Sequence, residues 1–163
     1  MTWSLSVEND LKTLHAILDA FNKSTASIAG VPGISWSITL EPLPKAFLSA
    51  SAKLGGNSLG LSADINQGKG LILIDSSFTW SNENDTQTVR TAGLKLLNDI
   101  SKASKQLGSS NDWVDLNHAD YVQDPLSSYG IVNQALLRLV SLRYDPRQVF
   151  QRQVPGGFKL YRS

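Results

Sequence analysis

Three stretches of this chain alternate apolar and hydroxyl side chains with a period of two, and that alternation restricts its fold more than any other feature. Trp3, Leu5 and Val7 alternate with Thr2, Ser4 and Ser6, and Trp36, Ile38 and Leu40 alternate with Ser35, Ser37 and Thr39. Over 71–80, Ile72, Ile74, Phe78 and Trp80 share one parity, whereas Asp75, Ser77 and Thr79 share the other. A period of two sends neighbouring side chains to opposite faces of a strand, so each stretch predicts a strand with one buried and one polar face.

The intervening segments change period. Leu11, Leu14, Ile17, Leu18, Phe21 and Ile28 recur at helical spacing from Glu8 to about Ala29, and Val31-Pro32-Gly33 supplies a stop. Pro42 and Pro44 are expected to break the second strand, ahead of a short helix over 45–54. The glycine-rich stretch Gly55–Gly70 reads as a mobile loop. Ser81-Asn82-Glu83 offers a helix start before Val89, Ala92, Leu96 and Ile100, a helix running to about Leu107. Trp113 to Asn117 reads as a last strand and Leu126 to Arg143 as a last helix. This order predicts an α+β, ferredoxin-like antiparallel sheet with helices on one face, plus a C-terminal helix and tail, as one domain over 1–163.

Charge and cysteine content narrow the function classes. A net charge of +1 leaves no electrostatic footprint for nucleic acid or an acidic membrane. With no cysteine there is neither a disulfide framework nor a thiolate metal site, and His15 and His118 lie too far apart in sequence to suggest a metal. The start Met1–Val7 lacks the pattern of a signal peptide, and the longest apolar run, Gly70–Ile74, is too short to span a bilayer. The expectation is a cytoplasmic protein without membrane, nucleic-acid or metal partners.

The polar parity of the strands gathers Ser4, Ser6, Ser35, Ser37, Thr39, Asp75, Ser77 and Thr79 on one sheet face. Such a face is either a solvated antiparallel sheet or a surface suited to a small ligand. The last third of the chain adds Asp115-Leu116-Asn117-His118-Ala119-Asp120, Gln123-Asp124-Pro125, Ser128-Tyr129-Gly130, Tyr144-Asp145-Pro146 and Gln151-Arg152-Gln153-Val154-Pro155-Gly156-Gly157-Phe158. Together with the runs Trp36–Pro44 and Gly55–Leu61 and the pair Thr79-Trp80, this series resembles the C-terminal, substrate-domain half of the fungal FAD-linked oxidoreductases of the berberine-bridge-enzyme type.

The resemblance implies that the sheet lines a substrate pocket and that Tyr129 and Asn133 match positions near the flavin. In that family the last motif is typically Asn-Tyr-Ala-Asp, and His118 stands where the tyrosine would be. The flavin-binding half of such enzymes has no counterpart in this sequence, so no cofactor is expected. The chain is then either a fragment of a longer enzyme or a remnant working without flavin. Some relatives of the family carry out Diels–Alder cyclisations, in which orientation of the substrate does much of the work.

His118 is the acid–base candidate, because an imidazole exchanges protons near neutral pH. Its flanking residue Asp120 is the second catalytic candidate, and Trp36, Ser37, Thr39, Asp75, Ser77, Trp80, Asn117, Tyr129 and Asn133 are the expected substrate contacts. Parity opposes His118, since Val114 and Leu116 look core-facing and would send it inward unless a bulge intervenes. The expected function is a cofactor-independent cyclase or isomerase acting on a reactive polyketide- or terpenoid-derived intermediate. The alternatives are a non-catalytic binding or partner module, and a fragment of an FAD-dependent oxidoreductase. Unpaired sheet edges suggest a homodimer.

Overall fold

The computed structural model describes residues 1–62 and 69–161. The chain runs β1 (Thr2–Val7), α1 (Leu11–Ser27), β2 (Ser35–Leu43), α2 (Lys45–Lys53), β3 (Leu71–Thr79), α3 (Thr86–Gln106) and β4 (Ser110–Asn111). Three further helices follow: α4 (Pro125–Ser128), α5 (Ile131–Tyr144) and α6 (Val149–Arg152). The sheet order is β2-β3-β1-β4 and every pairing is antiparallel. That is the ferredoxin-like order the sequence pattern predicts, with α2 added between the second and third strands.

Register assigns the faces. Trp3 pairs with Ser76, Leu5 with Ile74 and Val7 with Ile72, while Trp36 pairs with Phe78. These apolar side chains meet Ile17 of α1 and Val89, Leu96 and Ile100 of α3 in one buried cluster. Asp10 caps α1 by accepting from the Thr13 amide at 2.8 Å. Gly93 brings α3 down onto the sheet, because a Cβ there would lie 2.9 Å from the Phe78 ring.

Three boundaries differ from the sequence reading. Strand β2 continues through Pro42 to Leu43 instead of breaking. It is an edge strand, where a residue without an N–H is tolerated. The last strand is two residues at Ser110–Asn111 rather than Trp113–Asn117. Its ladder ends because side chains take the backbone donors: Asn111 Oδ1 accepts from the Trp113 amide at 2.9 Å, and Ser128 Oγ accepts from the Val114 amide at 3.1 Å. The last helix is split into α4 and α5 by Gly130, whose φ of 83° suits glycine. The loop expected over Gly55–Gly70 falls in part on residues 63–68, outside the described residues.

The short β4 leaves the outer edge of β1 open beyond Ser6, and a side chain closes it. Gln123 Oε1 accepts from the Ser4 amide at 3.1 Å while its Nε2 donates to the Ser4 carbonyl at 2.6 Å. The amide thus pairs with β1 as a strand residue would. It also accepts from the Asp120 amide at 2.9 Å, which ties the segment after β4 to the sheet edge.

Candidate functional site

The polar sheet face divides into three zones. At one end Leu71 and Leu73 pack with Trp113 and Tyr129, supported by Leu43, Leu116, Leu126 and Leu137, so the chain's own last third covers that end. In the middle, Ser4, Ser6 and Asp75 are buried. At the far end Ser35, Ser37, Thr39, Ser77 and Thr79 are exposed. The uniformly open hydroxyl face expected from the sequence is therefore open at that end.

His118 sits over the middle zone. With no strand at 113–117, a turn at 116–118 removes the parity objection and brings the ring back to the sheet. Its Nδ1 lies 2.7 Å from Asp115 Oδ2 and 3.5 Å from Asp75 Oδ2. A carboxylate only accepts, so Nδ1 carries the proton, and Nε2 is left as the nitrogen that takes up or delivers one. The His118 side chain is 48% exposed whereas that of Asp75 is 9% exposed. The proton-exchanging group thus faces outward while one of its anions lies beneath it.

The environment shifts both groups upward. The hydrogen bond that the ring donates to Asp115 raises the imidazole of His118 above its ordinary range, partial burial opposes this, and the Asp75 charge adds to it. Burial pushes the Asp75 carboxyl up against the facing Ser4 hydroxyl and the His118 charge, which pull it down. Asp75 Oδ1 and Ser4 Oγ are both buried without a hydrogen-bond partner within bonding distance. Such atoms cost stability in a purely structural core.

The remaining sequence candidates separate. Thr39 lies opposite Asp75 in register, and Ser37 opposite Ser77, so these stay on the site face. Trp36 and Trp80 belong to the helix side. Trp36 packs on Phe78 at 4.3 Å and donates to Ser76 Oγ, and Trp80 donates to Thr86 Oγ1. The carboxylate of Asp120 is committed to Arg90 through two bonds of 3.0 and 3.1 Å, rather than to His118. Asn133 donates to the Tyr129 carbonyl across the helix break, and Tyr129 stacks on Trp113 with its hydroxyl in a buried setting.

Asn117 and Tyr129 line a cleft of about 270 Å³ with Leu59, Asp115, Leu116, Leu126, Leu137 and Leu160. Sequence reasoning missed Asp115 as the partner of His118. The signal was present as a three-residue spacing in a turn, but a strand assigned over 113–117 concealed it. The five cleft leucines come from five separate segments and carried no local signal.

With this geometry in view, the chain is similar to parts of several fungal proteins. It is 32% identical over 160 residues to an FAD-dependent monooxygenase of Aspergillus calidoustus, covering 96% of this chain and 30% of that protein. An oligopeptidase of Diaporthe leptostromiformis is 30% identical over 162 residues, covering 98% of this chain and 13% of that protein. A bifunctional solanapyrone synthase of Alternaria solani is 37% identical over 81 residues, covering 50% of this chain and 16% of that protein. The chain thus spans less than a third of the length of these curated relatives. No protein-family model matches it. No solved structure matches it either.

The described residues do not fit FAD as a whole. The cleft offers aliphatic walls to a ring system, but Asp115, the one charged side chain of its lining among the described residues, would repel a diphosphate. No helix among the described residues is long and apolar enough to cross a membrane.

Proposed function

We propose that this chain is a substrate-holding module of fungal secondary metabolism that catalyses a non-redox cyclisation or isomerisation of a reactive polyketide- or terpenoid-derived intermediate. The observation that carries this reading is the short contact between Asp115 and His118 Nδ1, with Asp75 behind it. Asp115 fixes the tautomer, and the two carboxylates favour the imidazolium that forms when Nε2 takes a proton. Protonated, His118 donates to a carbonyl oxygen and polarises it; neutral, it removes a proton from an adjacent carbon. Thr39, Ser37 and Ser77 offer hydroxyls along the exposed strip beside it. Asp120 acts through position, holding the segment that carries His118 against α3 by its pair with Arg90.

A second reading is favoured by the length and names of the relatives. In it the chain is the substrate side of a longer FAD-dependent oxidoreductase, and another part of the protein holds the dinucleotide. Association with a second copy has its own support. Ile131, Val132, Leu136, Leu139, Val140 and Leu142 of α5 are exposed, a wide apolar surface of the kind that marks contact with another body.

The test is incubation of the protein with polyketide- and terpenoid-derived enones and dienes, with products analysed by mass and light scattering run on the same preparation. A product of unchanged mass supports the non-redox reading, and His118→Gln is expected to lower turnover by about 10²-fold or more with folding intact. Full turnover by that variant removes His118 from the mechanism. Products lighter by two hydrogens, from a yellow protein, would support the second reading instead. A monomer at all concentrations would remove the dimer.

A further inference from the structure

The cleft beside His118 has a chemical selectivity of its own. Its walls are Leu59, Leu116, Leu126 and Leu137, and its polar side is formed by Asp115 and Asn117. At about 270 Å³ it lies just below the usual range for drug-sized ligands, about 300–1,000 Å³, so it takes a short molecule or one end of a longer one. The Asn117 amide stands 3.5 Å from Asp115 Oδ1, a contact too long to satisfy its donors. It is thus available to a ligand acceptor. Among the described residues the lining has no lysine or arginine. The guanidinium of Arg138 donates to the Leu160 carbonyl at 3.0 Å and lies 5.8 Å from the Tyr161 ring centroid.

We propose that this cleft binds a small neutral ligand, hydrocarbon in body and ending in one carbonyl group, and rejects the corresponding carboxylate. The carbonyl oxygen meets the Asn117 amide and, at the rim, the His118 ring. A carboxylate in the same place meets the Asp115 charge, with the His118 ring already engaged by Asp115 and Asp75, and it would lose its hydration among leucines. Selection therefore comes as much from repulsion of the wrong charge state as from attraction of the right one. Carboxylic acids and their neutral esters or lactones are accordingly sorted before any chemistry begins.

This inference deepens the reading of the same site given above by naming what is bound, but binding needs no proton transfer. Equilibrium dialysis of the full chain against δ-decalactone and against decanoate at neutral pH tests it. The lactone is expected to bind saturably, and decanoate at least about tenfold more weakly, the equivalent of about 1.4 kcal/mol. Leu59→Phe, at a half-exposed position whose backbone contact to Trp113 is kept, should fill the cleft and weaken lactone binding at least about tenfold with an unchanged thermal transition. Equal affinity for lactone and decanoate, no saturable binding, or indifference to Leu59→Phe would overturn the proposal. His118→Gln separates the two readings. If it abolishes turnover but leaves lactone affinity within about fivefold, the loss of one rim hydrogen bond of about 1 kcal/mol, binding and proton transfer are both upheld. Binding without any turnover in the unsubstituted protein sinks only the catalytic reading.

Discussion

The two faces of the sheet are finished in opposite ways. The helix face is a closed apolar layer in which Trp3, Ile74, Val89, Leu96 and Ile100 are each 0% exposed. The other face also has buried positions, but they are Ser4, Ser6 and Asp75; buried polar atoms without a hydrogen-bond partner occur on both faces, Trp3 Nε1 on the first and Ser4 Oγ and Asp75 Oδ1 on the second. Apolar packing explains the first arrangement and does not explain a buried carboxylate on the second. A buried carboxylate beneath a half-exposed histidine is what the proposed proton transfer would use, at some expense in folding free energy.

Substitutions on the two faces should therefore behave differently, and the largest effect belongs to the helix face. Leu96→Ala is expected to cost about 2–5 kcal/mol in urea unfolding, the usual range for a fully buried leucine. A loss below about 1 kcal/mol would show that α3 is not the main cover of the sheet. Next comes the pair holding the segment over the polar face. Asp120 is 3% exposed and Arg90 18%, so Arg90→Ala leaves a buried charge and should cost about 3 kcal/mol. If the cost is no more than that of a surface ion pair, the segment is held by Gln123 and the leucines alone.

The smallest effect has the opposite sign. The folded pKa of Asp75 is raised above its unfolded value, so ionisation at this position opposes folding. Its penalty is absent below about pH 3.9, the ordinary aspartate value, and grows until pH exceeds the raised folded value. Asp75→Asn should accordingly gain about 1 kcal/mol above that window while impairing turnover. The raised His118 contributes stability that is complete below about pH 6.5 and fades as pH rises through its folded value. Thermal unfolding from mildly acid to mildly alkaline pH should show His118→Gln flattening that decline. A stability loss in Asp75→Asn at every pH would mean that the carboxylate is structural after all.

How far the sequence disclosed this can be traced to particular residues. The alternation of Trp3, Leu5 and Val7 with serines and threonine, and of Ile72, Ile74 and Phe78 with Asp75 and Ser77, was enough to assign the faces and the antiparallel sheet. A period of two is a local signal, and burial of one parity enforces it. The position of His118 was legible as a titratable group but not as geometry, because Leu116 packs with Leu126 of α4 and Leu137 of α5 in the smaller cluster instead of continuing a strand. Trp36 and Trp80 have the size of ligand contacts, yet their parity already assigned them to the helix side. The Arg90–Asp120 pair joins residues thirty positions apart, and no spacing rule links them.

The side-chain amide that stands in for a strand at the rim of β1 makes two events inseparable. Lifting the segment that bears His118 off the sheet would strip Ser4 of both its peptide partners and bare a raw β edge to any neighbouring chain. Opening the site for a bulky guest and exposing a template for aggregation would thus be the same motion, and the proposed ligand, entering by the cleft, would avoid both.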